Sequence, residues 1–151
     1  MKAIRSLACL SLLFAAGSAF AADKVCKVDI ASTDQMTFDK KEIAVAADCT
    51  EIEVTLTHTG KMPAAAMGHN WVLAKTADAQ GVANDGLSAS VANDHIKPGD
   101  TRVIAHTKLI GGGQTTSVKF PASALTKGGA YTFFCTFPGH IALMKGTFKF
   151  G

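Results

Sequence analysis

Residues 51–57, EIEVTLT, alternate without a fault: Ile52, Val54 and Leu56 fall on one side, Glu51, Glu53, Thr55 and Thr57 on the other. A period of two is that of a β-strand with one buried face. The same alternation puts Cys26, Val28 and Ile30 inward near the start, Val118 and Phe120 later, and Met144, Gly146, Phe148 and Phe150 opposite Lys145, Thr147 and Lys149 at the end. β-Branched and aromatic residues predict further strands over 37–45, 69–75, 101–108 and 130–137. Turn signals separate them at Pro98-Gly99-Asp100, Gly111-Gly112-Gly113 and Gly128-Gly129. So many short strands, with little room for crossover helices, predict an all-β fold, an antiparallel sandwich with Greek-key connections. Residues 76–90 depart from the pattern. There Thr76 and Asp78 suit the start of a short helix, which Gly81 and Gly86 weaken.

The first residues read as an export address. Lys2 and Arg5 form a charged region, LACLSLLFAA an apolar one, and Ala19-Phe20-Ala21 a small-x-small cleavage site. Cleavage after Ala21 leaves residues 22–151 as one domain, bound for the periplasm. The apolar run is shorter than the ~20 residues of a spanning helix. Cys9 precedes most of that run, so no acyl anchor is expected there. Of 15 Lys and Arg against 12 Asp and Glu, the leader holds two bases and no acid, which leaves the remainder a single positive charge in excess. Near neutrality without basic blocks argues against nucleic acid as a partner.

Cys26, Cys49 and Cys135 remain after the leader. An oxidising compartment favours one pair and leaves a thiol that needs a role. Cys26 lies on an inward strand face and Cys49 just before the next strong strand, so these two are paired; the competing pairings would consume Cys135. Closing their loop would stabilise by about 3 kcal/mol on the chain-entropy model.

The stretch CTFPGHIALM, residues 135–144, holds the densest chemistry. Alternation along 130–137 places Tyr131, Phe133 and Cys135 on one inward face, Pro138-Gly139 turns the chain, and His140 and Met144 follow. A fourth donor is best sought at His69, which opens a strand also carrying Trp71 and Leu73. Taken singly, a Met near a terminal strand is usually core packing, a His a satisfied core or surface residue, an inward Cys an inert hydrophobe. Together they fall where strands begin or end, and an exported chain has reason to cover a free thiol with metal. A trigonal His-His-Cys set with a distant axial Met marks an electron-transfer copper centre. Structural zinc prefers four strong N or S donors, which a thioether serves poorly.

MGHNWVL, VIAHTKLI, FFCTFPGH and ALMKG, in that order and with the two upstream cysteines, resemble the blue-copper proteins of the cupredoxin family over essentially all of residues 22–151. The resemblance implies an eight-stranded Greek-key sandwich with one helical flap at 76–90. It implies one type 1 copper per chain, held by His69, Cys135 and His140, with Met144 as long axial ligand and the Gly68 carbonyl as a weak contact from the opposite side. Asn70, Phe137 and the N–H groups after Cys135 would surround the sulfur. His140 would be the electron route, inside an apolar docking patch of Met62, Pro63, Met67, Leu87, Phe137 and Pro138, with Ala64 and Ala66 beside it. The implied partners are transient redox proteins: c-type cytochromes, periplasmic reductases or dehydrogenases. The chain is expected to be a monomeric carrier and not an enzyme. His58 aligns with a family histidine near the copper, where its titration would couple redox behaviour to pH; His95 and His106 receive no role.

Three rivals fit less well. A copper oxidase or reductase needs extra histidines beside the cysteine, and Cys135 is flanked by Phe134 and Thr136. A copper store or chaperone calls for exposed, exchangeable sulfur. A thiol hydrolase built on Cys135 and His140 lacks an evident orienting carboxylate or oxyanion device.

Overall fold

The computed structural model describes residues 24–151; the expected leader over 1–21 and its cleavage site lie outside them. Within the described residues nine strands form two sheets. One has the order β2 (Thr37–Phe38), β1 (Val25–Thr33), β4 (Glu51–His58), β7 (Thr115–Pro121). The other has the order β3 (Glu42–Val45), β9 (Lys145–Phe150), β8 (Tyr131–Phe134), β5 (Val72–Lys75), β6 (Val103–His106). No described helix is long and apolar enough to cross a membrane.

Two features differ from the expected sandwich. The single strand expected over 37–45 is divided, with β2 pairing to β1 and β3 to β9, and Asp39, Lys40 and Lys41 crossing between the sheets. Because the chain changes sheet there, β4 returns beside β1 running the same way, and β3 also runs parallel to β9. The remaining pairs are antiparallel. Alternation reveals which face of a strand is buried but not which sheet it joins.

The inward faces meet as the patterns require. Ile52, Val54 and Leu56 are fully buried, and Trp71 lies between Phe120 and Phe133 with ring centroids 6.3 Å from each. Each such aliphatic side chain contributes about 1.5–3 kcal/mol of transfer free energy. β5 is buried on both faces, because Val72 and Ala74 pack beneath Ala79, Val82 and Ala83 of a helix, α2, one of two described α-helices, α1 (Ala64–Met67) and α2 (Ala79–Gly86). That double burial accounts for the unbroken apolar run Trp71-Val72-Leu73-Ala74.

α2 is the helix expected within 76–90, shorter and without a side-chain cap from Asp78. Its fastening is Arg102, whose guanidinium donates to Asp85 (2.6 Å) and twice to Asp100 (2.6 and 2.8 Å). That pairing holds the Asp100 carboxyl below its ordinary 3.8. A depressed carboxylate contributes stability above its ordinary pKa and loses it as pH falls through the lower folded value. Asp100→Asn should therefore unfold more readily near neutrality and show a smaller decline in Tm between about pH 5 and about pH 2 than the parent chain. Equal declines would deny Arg102 this role.

Cys26 and Cys49 are bonded, with Cα atoms 5.8 Å apart. They tie the starts of β1 and β4. The far ends of the same two strands, at Thr33 and His58, reach the candidate site.

Candidate metal centre

β8 ends at Phe134, so Cys135 leaves the sheet with its side chain still inward and fully buried. Phe134 pairs with Val72, which brings the residues just beyond, Cys135 and Thr136, beside Asn70 and His69. His69 is anchored by reciprocal bonds with Ile110: its N–H donates to the Ile110 carbonyl (3.0 Å) and its carbonyl accepts the Ile110 N–H (2.9 Å). Gly139 takes a left-handed φ of 82°, which a glycine adopts freely, and this turns the loop so that His140 points back toward Cys135. The neck of the loop is closed by Met144 N–H to His140 O (2.7 Å) and Cys135 N–H to Met144 O (3.1 Å).

Three donors from these elements form a triangle. Cys135 Sγ lies 3.7 Å from His140 Nδ1 and 4.0 Å from His69 Nδ1, and the two nitrogens are 3.2 Å apart. The point equidistant from them is about 2.1 Å from each, within the range of first-row metal bonds to nitrogen and sulfur. His69 Nε2 faces the Thr33 carbonyl at 2.8 Å; with its proton committed there, Nδ1 keeps a lone pair for the centre. Among the described residues His140 Nε2 has no hydrogen-bond partner and is not a buried orphan, so its ring edge meets solvent although the residue is only 3% exposed. The donor chemistry fits copper: two imidazoles, one thiol, and a buried methionine at the neck.

The electrostatics prepare these groups in opposite senses. Burial lowers the pKa of His69 and takes His140 down to about 4, aided in both cases by a neighbouring histidine, so both rings are neutral near pH 7 and able to bind a metal. Burial pushes the Cys135 thiol up to about 12, against the pull of the Asn70 and Phe137 N–H groups facing its sulfur. Taking up a metal therefore releases a proton.

Gly68 O is 3.9 Å from Cys135 Sγ. Its φ of −71° is ordinary, so the need for glycine is steric: a Cβ would strike the Ala64 carbonyl and come within 2.9 Å of Leu109 Cδ2. Asn70 braces the segments that carry His69 and Cys135, accepting the Thr136 N–H (2.9 Å) and donating to Thr136 Oγ1 (2.7 Å). Phe137 packs on His140, centroids 4.6 Å apart.

Of the apolar residues singled out, Met62 (39% exposed) and Leu87 (57%) reach solvent with Pro63 and Pro138, while Met67 and Phe137 are half-buried. Leu143, beside Met144, is 55% exposed and was not among the expected surface residues, because next to a buried methionine it reads as core. His58 is fully buried and stacks on His69, centroids 4.4 Å apart. Its Nδ1 accepts the Gly60 N–H and its Nε2 meets the Met67 carbonyl at 3.0 Å. His95 sets its ring edge-on to Phe137 (5.2 Å). The Thr33 carbonyl and Asp94 were also missed. Both act through long-range contacts with no local signature.

Residues 24–151 match the family model described as copper binding proteins, plastocyanin/azurin family. The chain is 58% identical over 137 residues to the azurin of Bordetella pertussis, spanning 91% of each chain. It is 51% identical over 144 residues to that of Pseudomonas aeruginosa, spanning 95% of this chain and 97% of that one. Among solved structures it is similar to an azurin from the obligate methylotroph Methylomonas sp. strain J, with a TM-score of 0.81, 51% identity, and coverage of 83% of this chain and 98% of that one.

Proposed function

The chain belongs to the copper-binding plastocyanin/azurin family, and from that premise we propose that it is an exported carrier of single electrons, with His69, Cys135 and His140 as the strong copper ligands. It is an electron carrier and not a catalytic enzyme. The observation that carries the assignment is the buried triangle of two imidazole nitrogens and one sulfur. Copper bound there supplies a reversible one-electron couple. The chain supplies everything else. Thr33 and the Ile110 bridge hold His69, the loop neck holds Cys135 against Met144, and the sandwich keeps these donors from moving when the charge changes. Met144 and the Gly68 carbonyl are proposed as the weaker contacts that would complete the hold on the metal.

A store or chaperone is disfavoured because the free thiol of the described residues, Cys135, is wholly enclosed. The test is titration with copper followed by electron paramagnetic resonance of the oxidised protein. One ion per chain and the small hyperfine splitting of a covalent Cu–thiolate bond are expected. A second equivalent bound as tightly, or an ordinary wide splitting, would refute the assignment.

Exchange with partners is proposed to occur at the His140 edge, through the uncharged surface of Met62, Pro63, Met67, Leu87, Phe137 and Pro138. Partners of this kind are redox proteins of the periplasm, such as c-type cytochromes, reductases or dehydrogenases, and the leader sequence supports that compartment. A small apolar contact around an exposed ring edge suits rapid docking and release. Met67→Lys puts a charge at this surface without touching a donor. It should slow electron exchange with a c-type cytochrome by about tenfold while copper affinity stays unchanged. An unchanged rate would remove the patch from the route.

A further inference from the structure

One acid lies between the segments that carry His69 and Cys135 and the strip 107–110 behind them. Asp94 is 7% exposed and has a left-handed φ of 55°, followed by His95 at 51°. Two consecutive non-glycine residues in that region are costly, and they persist where surrounding contacts over-determine them. Here the contacts are specific. The Asp94 carbonyl accepts Asn70 Nδ2 (2.8 Å) and Thr136 Oγ1 (3.2 Å), reaching the segments of His69 and Cys135 together. Its carboxylate turns the other way, accepting the Leu109 N–H at 2.8 Å and facing Lys108 Nζ at 3.3 Å.

The Leu109 bond matters because of where Leu109 sits. β6 has ended at His106, and Leu109 N–H has no other partner among the described residues. The Leu109 side chain packs over Gly68, whose added Cβ would meet it at 2.9 Å. The next residue, Ile110, exchanges both backbone bonds with His69. The carboxylate thus fixes the strip that backs Gly68 and His69, while the carbonyl of the same residue fixes Asn70 and Thr136.

We propose that Asp94 is a positioning residue of the copper centre: it locks segments 68–70, 107–110 and 135–136 to one another and so sets the spacing between the His69 and Cys135 donors. This rests on the copper reading above. Asp94 touches no donor atom; its effect is exerted through Leu109, Asn70 and Thr136.

Asp94→Gly is the discriminating variant, because glycine accepts the left-handed backbone and only the carboxylate is lost. In the metal-free protein, amide exchange at Leu109 should accelerate by at least about tenfold, the scale set by a buried hydrogen bond to a charged acceptor, and by less at Thr136, whose N–H bonds the Asn70 that the Asp94 carbonyl holds. In the copper-loaded protein, the thiolate-to-copper absorption and the reduction potential should both shift. Asp94→Asn, which keeps an acceptor for Leu109 N–H, should restore all three readings. Lys108→Ala, which strips only an exposed ion pair, should alter none. Asp94→Ser, too short to reach Leu109, takes the place of the glycine variant with the same expectations should that variant not fold. A glycine variant less stable but unchanged in spectrum, potential and local exchange would overturn the proposal, and so would an asparagine variant as perturbed as the glycine one. A parent protein that binds copper without the thiolate band would sink the copper reading instead, and amide exchange in the metal-free chain would still decide the role of Asp94.

Discussion

Cys135→Ser should abolish the intense visible absorption of the copper-loaded protein and widen its copper hyperfine splitting. The sulfur is the only thiol among the described residues outside the disulfide, and it stands 3.7 and 4.0 Å from the two imidazole nitrogens. A serine hydroxyl has nearly the same shape but gives copper neither a soft donor nor a covalent Cu–S bond. Copper affinity should drop by more than the about 10–100-fold that loss of an outer-shell partner costs. The fold should persist, since the Asn70 and Phe137 N–H groups that face the sulfur can face a hydroxyl oxygen instead. Absorption spectra and paramagnetic resonance on copper-titrated protein check the result, with circular dichroism to show that the sandwich is intact. A blue band surviving the substitution would mean that another group holds the metal.

Phe133→Ala should be the most damaging core substitution in reach of the site, at about 3–5 kcal/mol, the usual cost of emptying a buried phenylalanine site. Phe133 has no exposed surface. It is flanked by Trp71 at 6.3 Å and Phe38 at 5.7 Å, and β9 comes so close at Gly146 that a Cβ there would strike the ring. Neighbours so fixed by both sheets collapse little into the space. Against a total stability of about 5–15 kcal/mol the loss is a large share, and it should appear as a lower denaturation midpoint with an unchanged slope. Copper should offset part of it, because a ligand that binds only the folded chain adds stability by mass action. Denaturant titrations with and without metal provide the measurement. A loss under about 1 kcal/mol would show a core far more yielding than these contacts imply.

The two substitutions probe features of unequal legibility. Phe133 and Cys135 were readable together, because alternation along 130–137 puts both on one inward face. The faces of residues 51–57 and 144–150 were readable for the same reason, as was the flap at 76–90, through its departure from a period of two. The division of 37–45 between two sheets was not. Phe38 and Ile43 are both buried, as a single strand or two would have them, and only the pairing partners tell the cases apart. Asp94 escaped for a related cause: a lone aspartate in an irregular stretch carries no pattern, and its importance comes from Leu109, Asn70 and Thr136 arriving around it. His58 was singled out by resemblance, but its stacking on His69 depends on where β4 ends relative to the loop before β5.

By itself, then, the amino-acid order determined the chemical inventory and the local geometry of this protein: which residues alternate inward, which turns interrupt them, and that a thiol, an imidazole and a thioether share one loop. Those properties depend on near neighbours, since side-chain alternation and turn conformation are decided within a few residues. The packing of the two sheets decided the rest. It brought His69, 71 residues before His140, to within 3.2 Å of it, set the Thr33 carbonyl behind the ring, and used Asp94 to join three segments. Distances between remote donors depend on strand register and on how two curved surfaces meet, and no short stretch of chain encodes either alone.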